Sequence, residues 1–426
     1  MIIYNLFPLL AGKFARWQKH IDRAARMGFD WVFVNPVQRT GSSHSLYSIA
    51  DYFELNPAFV DGPDPSRGFE QLREAIGSAQ GAGLSMMTDL VINHCASDGP
   101  LTKTHPEWFV REKGKIANAY CVEKGEKKYW MDLALFDHKH TRDPEGLFDY
   151  FVRAVELLLE LGFRGLRCDA AYQVSPAFWK RLIARIRSRA PHAVFVAETL
   201  GCTPAQMVHT ASAGFDWIFN SSKWWDFDAP WLHKQYELTR KLAPSIGFPE
   251  SHDTDRLMAE TGNEAALKQL YLFSALFSAG VMVPMGFEFG FRKRLDVVRT
   301  RPEDWEQPST DLRSFIGDVN RLKRSYPVFS EEGRLRFLEH ENPRVLVMWK
   351  NSKRSGQEGL VILNKDTDRR QVFWVESLSR YLLDSQPLRC VSPENPLDFV
   401  AQPFHYELRP GEAVVLVTEP RQRATG

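Results

Sequence analysis

One short stretch constrains the fold more than any other: Gly-Phe-Arg-Gly-Leu-Arg-Cys-Asp-Ala, from Gly162 to Ala170. It reads as a buried strand that ends in two ionisable residues, Arg167 and Asp169. Upstream, Leu147, Tyr150, Ala154, Leu157 and Leu161 recur at helical spacing, while Asp149, Arg153, Glu156 and Glu160 line the opposite face. Gly162 suits the helix C-terminus. Helix, tight turn, then a strand with polar residues at its carboxyl end is the αβ unit of a parallel sheet. In such sheets the carboxyl ends of the strands carry the chemistry.

An Arg next but one to an Asp also suits a plain structural ion pair. Recurrence of the pattern favours a site. Ala193 to Glu198 is an apolar run ending in a carboxylate, and Leu84 to Asp89 repeats the design before continuing to Asn93 and His94. Gly247 to Asp253 supplies a further example, with His252 beside the acid. Short runs that each deliver acids or histidines at the same end imply convergence on one place.

The alternation continues along the chain. Expected strands are Ile2 to Phe7, Trp31 to Val34, Leu84 to Asp89, the stretch at Gly162, Ala193 to Ala197, Phe215 to Phe219, Ile246 to Glu250 and Val281 to Pro284. Helical patterns intervene around Trp17 to Met27, Gly68 to Ala82, Pro176 to Arg189, Pro230 to Lys241, Glu264 to Ala279 and Asp311 to Lys323. Strands each followed by a helical segment predict a (β/α)8 barrel, covering residues 1–94 and 133–328. Residues 95–132, from Cys95 to Asp132, lack sustained periodicity and are expected to form an excursion over the strand ends, since loops this long are usually functional. Beyond Tyr326 the texture becomes short strand-like runs with turn residues between them: Leu335 to Leu338, Val345 to Trp349, Leu360 to Leu363, Gln371 to Val375 and Ala413 to Val417. Residues 329–420 therefore predict a C-terminal antiparallel β-sandwich, and Arg421 to Gly426 a frayed tail.

With 426 residues the chain has room for such a barrel and a second small domain. Its 54 basic and 53 acidic residues are well mixed, which argues against nucleic acid or an anionic membrane as partner. The basic cluster Arg181 to Arg189 sits at helical spacing, as a solvated face does. Cys95, Cys121, Cys168, Cys202 and Cys390 are scattered and form no CxxC pair, so neither a disulfide framework nor a zinc site is expected. The apolar start lacks a basic segment and a cleavage site, and no apolar run reaches membrane-spanning length. The expectation is a reduced, cytoplasmic protein.

Asp169, Glu198 and Asp253 at three strand ends suit glycosidic bond cleavage with retention, which needs one carboxylate as nucleophile and another as acid and then base. Four motifs stand in order: Asp89 to His94, Gly165 to Ala170, Val196 to Glu198 and Phe248 to Asp253. Tyr47 to Tyr52, Met131 to Leu133 and Val283 to Gly290 flank them. In this ordered set the sequence resembles the α-amylase superfamily, glycoside hydrolase family 13. The resemblance implies that Asp169 is the nucleophile, Glu198 the general acid/base and Asp253 the transition-state stabiliser. It implies that Arg167 orients the nucleophile, that His94 and His252 contact hydroxyls of the same sugar, and that Tyr47 stacks on its ring. Asp89's counterpart mainly supports the site. Asn93's counterpart often touches a structural calcium, but no convincing set of further ligands follows here, so neither a metal nor a cofactor is expected.

The implied substrate is an α-glucan or maltooligosaccharide, cleaved at α-1,4 bonds by hydrolysis or transglycosylation. The strand-seven motif departs from the family, with Ser251 where an Asn usually stands. A narrower similarity, His105 to Phe109 with Lys127, Lys128 and Tyr129, is to maltosyltransferases that use maltose 1-phosphate, where such a Lys and Tyr help hold phosphate. Those enzymes carry an Asn after the nucleophile, and Ala170 stands here. A catalytically silent carbohydrate-binding member is the third reading, marked by loss of a catalytic carboxylate, and none is lost. Of the 12 tryptophans, Trp108, Trp130, Trp224 and Trp225 are candidates for stacking on sugars. Oligomeric state is not legible.

Overall fold

In a computed structural model of the chain, residues 1–123, 126–383 and 386–419 are described. The tail from Arg421 to Gly426 lies outside them. Eight strands make the core: β1 (Ile2–Leu6), β2 (Trp31–Val34), β3 (Ser85–Leu90), β4 (Gly165–Cys168), β5 (Val194–Ala197), β6 (Trp217–Phe219), β7 (Ser245–Gly247) and β8 (Gly280–Pro284). They form a closed parallel barrel in which each strand lies beside its neighbours in sequence. Every residue of β1, β4 and β8 is buried, as expected for strands covered on both faces.

Between and after the strands run α1 (Gln18–Arg26), α2 (Gly68–Gly81), α3 (Pro144–Glu160), α4 (Pro176–Arg187), α5 (Pro204–Ala211), α6 (Trp231–Thr239), α7 (Glu264–Phe277) and α8 (Arg313–Ser325). Helix α3 shows why the local sequence folds this way. The Asp143 carboxylate accepts the Gly146 N–H at 3.0 Å, and Pro144 opens the first turn. Leu147, Tyr150, Ala154 and Leu158 are buried, so Leu158 rather than Leu157 reaches the core. The turn into β4 needs Gly162: its φ is +108°, and a Cβ there would sit 3.0 Å from Ile76.

Two expectations need correction. The seventh strand ends at Gly247 rather than Glu250, which leaves Phe248 to Asp253 as loop. Helix α5 was not legible as a periodic segment, because it has only eight residues. It is specified instead by its start, a reciprocal Thr203–Gln206 capping box followed by Pro204. The excursion is also more regular than its composition suggests. His94–Ala96, Asn118–Glu123 and Glu126–Leu135 form a three-stranded antiparallel sheet. Its long strand is exposed from Glu126 to Met131, so no apolar alternation marks it.

By internal contacts the chain has two compact units, one of residues 3–219 with 295–305, the other of 1–2, 220–294 and 306–426. In the second unit the C-terminal strands are β9 (Arg334–Leu338), β10 (Val345–Asn351), β11 (Glu358–Asn364), β12 (Gln371–Val375), β13 (Leu388–Cys390), β14 (Phe404–Leu408) and β15 (Ala413–Thr418). The five-stranded sheet β9-β10-β11-β15-β13 and the ribbon β12-β14 contribute side chains to one core, including Trp349, Leu360, Leu416, Phe373 and Phe404. Two buried lysines finish helix α7: Lys350 donates to the carbonyls of Leu276 and Phe277, and Lys323 to those of Ala275 and Ser278.

Candidate active site

Parallel pairing of β3 with β4 places Asp89 directly opposite Arg167. Asp89 is fully buried and Arg167 nearly so. Arg167 Nη1 donates to Asp89 Oδ1 at 2.5 Å and to Asp169 Oδ1 at 3.1 Å. Burial works against this guanidinium, but Asp89, Tyr47, Asp169 and Glu198 together hold its pKa well above the usual value. The remaining Asp89 oxygen accepts the Tyr47 hydroxyl at 2.8 Å. Behind Tyr47, Asn35 Nδ2 donates to its hydroxyl oxygen at 2.9 Å, and Asn5 Nδ2 donates to Asn35 Oδ1 at 2.9 Å. A continuous polar chain thus runs from β1 to the Asp169 carboxylate. The Tyr47 hydroxyl is committed to Asp89, which fixes the ring's orientation.

Glu198 follows β5 directly. Its Oε2 accepts the Ala170 N–H at 2.9 Å and its Oε1 the Leu200 N–H at 2.5 Å. Ala170 can donate in this direction because it adopts a left-handed conformation, with φ 42° and ψ 42°, an unusual one for a residue with a side chain. The residue after Asp169 therefore grips the Glu198 carboxylate, and the two strand ends are coupled through one main-chain N–H. Tyr172 follows in the same segment and feels the charge of both acids. Burial is the main cause that pushes its hydroxyl up to about 12, with Glu198 and Asp169 adding to it.

His94, at the start of the excursion, is buried; burial lowers its pKa, against the pull of Asp169 and Asp132. The Tyr47 backbone also faces the His94 ring within hydrogen-bonding range and, like those acids, pulls its pKa up. A cavity of about 510 Å³ lies between the excursion and the segments after Asp169 and Glu198. Tyr120, Tyr172, Gln173, Thr203 and Gln206 line it, a mixture of rings, amides and hydroxyls suited to carbohydrate.

In the second unit, His252 Nε2 stands 3.0 Å from Asp253 Oδ2. The Asp253 side chain is 54% exposed, that of Asp169 15%. The Ser251 hydroxyl accepts the Asp253 N–H at 3.2 Å. The tryptophan candidates divide. Trp108 is buried, donating to Asp143 at 3.0 Å, and Trp225 is buried as well, while Trp130 and Trp224 are about half exposed.

Asn93, whose counterpart in the resembled family often touches a structural calcium, is engaged here through its amide nitrogen. Asn93 Nδ2 donates to Gln173 Oε1 at 2.9 Å, and Gln173 Nε2 reaches the Tyr120 carbonyl at 3.3 Å. Among the described residues no group of three or more carboxylates, histidines or cysteines is placed to hold an ion. Hydrogen bonds from side-chain amides thus join the excursion to the segment after Asp169.

Sequence reasoning did not single out Asn5, Gln173 or Tyr172. A polar residue in the middle of an apolar strand was the available signal for Asn5. No local signal marks the other two, which matter through where the barrel places them.

Comparison with known proteins agrees with this architecture. A family model described as glycogen debranching enzyme, glucanotransferase domain, matches residues 1–113. Curated relatives include the α-1,4-glucan:maltose-1-phosphate maltosyltransferase of Burkholderia pseudomallei, 24% identical over 85% of this chain and 33% of that protein. The maltosyltransferase 2 of Streptomyces coelicolor is 26% identical over 84% of this chain and 57% of its own. The chain thus spans between a third and somewhat over half of these relatives' length. Among solved structures, a maltogenic α-amylase from Thermotoga neapolitana superposes with a TM-score of 0.78 over 99% of both chains at 20% identity. An α-amylase from Lactobacillus plantarum superposes with 0.77 over 98% of both at 19% identity. With a barrel closed in this order, interrupted after β3 and followed by an antiparallel sheet, the fold of this chain is the α-amylase fold.

Proposed function

We propose that the chain is a retaining α-glucan-active transglycosylase working through a covalent Asp169 intermediate. The observation that carries this reading is the coupling of two acids: Asp169, held by Arg167, and Glu198, held by the N–H of the residue after Asp169. In the first step the Asp169 carboxylate bonds to the anomeric carbon as the bond to the leaving oxygen breaks, and Glu198 gives that oxygen a proton. In the second, an acceptor hydroxyl loses its proton to Glu198 and displaces Asp169. Two inversions return the α configuration. Asp253 grips the sugar in the reacting subsite, the role its motif has in the family, and His94 and His252 bind hydroxyls there.

For the donor, the sequence relatives favour a glycosyl phosphate: all those given above are maltosyltransferases named for maltose 1-phosphate. Lys127, Lys128 and Tyr129 are exposed on the excursion, and Lys127 lies 4.0 Å from the Tyr120 ring centre, where Tyr120 lines the cavity. We therefore place maltosyl transfer from a phosphate donor to an α-1,4-glucan first. Ala170 supports a second reading, hydrolysis or disproportionation of maltooligosaccharides as in amylases.

Incubation with maltose 1-phosphate and maltohexaose decides between them. Phosphate release with products two glucose units longer is expected. Turnover of maltohexaose alone, with no phosphate released when the donor is added, supports the second reading. A β anomer in the first-formed product, seen by proton NMR, overturns both.

A further inference from the structure

The loop after β7 contains a buried ion pair that the proposed mechanism does not use. Glu250 and Arg256 are each 1% exposed, and Arg256 Nη1 donates to Glu250 Oε1 at 2.7 Å. The pair is tied on all sides. Glu250 Oε2 accepts the Leu257 N–H at 2.6 Å. Arg256 Nη2 donates to the Met285 carbonyl at 2.9 Å and Nε to the Lys293 carbonyl at 3.2 Å, both in the segment after β8. One guanidinium therefore fixes two loops at once, a task suited to its rigid fork.

Between the two anchors lie Ser251 to Asp255, with Asp253 at the centre. The Ser251 N–H donates to Thr254 Oγ1 at 3.0 Å, and Arg294 Nη2 donates to the Asp253 carbonyl at 2.7 Å. The loop is thus closed at its base by the buried pair and braced outside by Arg294, and the half-exposed Asp253 carboxylate projects from it. A buried pair adds little net stability, since desolvation offsets its attraction. Its geometric consequence, a defined loop, is the larger effect here.

We propose that Glu250 and Arg256 are positioning residues for the reaction, acting through Asp253 by setting the loop that presents its carboxylate. This rests on the reading of Asp253 as the transition-state stabiliser. A misplacement of about 1 Å in such a group costs on the order of 10²-fold in rate, and the loss falls on kcat when the interaction is made only in the transition state.

The test measures kcat and KM for Arg256→Lys and Glu250→Gln, each alone and combined with Asp253→Asn, using an activated donor that keeps weak turnover visible. Lys cannot reach Glu250, Met285 and Lys293 together, so kcat should fall by about 10²-fold with KM within about twofold. In the Asp253→Asn background the same substitutions should cost nothing further, because residues that act through one group are not additive. An undiminished loss in that background overturns the proposal. If the buried variants do not fold, Arg294→Gln, at an exposed side chain, tests it alone: a loss of kcat that disappears beside Asp253→Asn supports the proposal, and one that persists overturns it. Wild-type turnover by Asp253→Asn alone signals a different failure, that of the catalytic reading of Asp253, and removes the proposal's basis with it.

Discussion

Replacing Asp89 by Asn probes the polar chain behind Asp169, the proposed nucleophile. The side chain keeps its shape and loses its charge. Arg167 Nη1 is shared between Asp89 at 2.5 Å and Asp169 at 3.1 Å; with an angle of about 120° at the nitrogen, the two acceptor oxygens lie roughly 5 Å apart. At an effective dielectric near 20, unit charges at that separation repel by about 3 kcal/mol. Wild-type Asp169 therefore carries its charge against a neighbouring anion. In Asp89→Asn that repulsion is gone and Arg167 keeps only Asp169 as a hydrogen-bonded carboxylate. The nucleophile becomes more comfortable as an anion and less ready to give up its charge in forming the glycosyl bond. A barrier increase of about 3 kcal/mol corresponds to roughly 10²-fold in rate. The fold loses too. An Asn amide turned toward Arg167 cannot also accept from Tyr47, and leaving a buried charge short of a partner costs about 3 kcal/mol, the lower end for a broken buried pair because Asp169 remains. The assay is single-turnover glycosylation with α-maltosyl fluoride, whose leaving group needs little protonation, alongside a thermal melt. A glycosylation rate within threefold of wild type would refute the reasoning.

Asp169→Asn should reduce turnover by several orders of magnitude with little change in the melting temperature, since it removes the nucleophile at constant volume; a tenth of wild-type activity retained on the true substrate contradicts the assignment. His138 donates from Nε2 to the Ile92 carbonyl at 2.7 Å, and burial is the chief cause that lowers its pKa to about 4. The unfolded chain takes up this proton first, so the stability due to neutral His138 is present above about pH 6.5 and lost as pH falls towards 4, by about 3 kcal/mol. A His138→Gln variant whose melting temperature falls as steeply over that range as wild type would contradict this. Because amides join Asn93, Gln173 and Tyr120, chelation by EDTA should leave activity and melting temperature unchanged, and Gln173→Ala should lower both; a loss on chelation that calcium restores would show that an ion holds the excursion.

The barrel was legible because its cause is local. Runs of apolar residues alternating with amphipathic helices, each run ending in acids or histidines, leave few arrangements that bury the former and gather the latter. The order of Asp169, Glu198 and Asp253 along the chain could be read for the same reason. Tertiary structure alone decided how those groups are held. Asp89 and Arg167 are 78 residues apart and meet because β3 and β4 pair in one register, which no single strand encodes. Asn5 connects to Asp169, 164 positions away, only because the barrel brings β1 and β2 beside β3 and β4. The left-handed turn at Ala170, which aims an N–H at Glu198, has no glycine to announce it. Trp108 and Trp130 belong to the same excursion and read alike in sequence, yet one is buried and the other half exposed. Burial depends on what the rest of the chain packs against each side chain, and the sequence beside a residue does not contain that information.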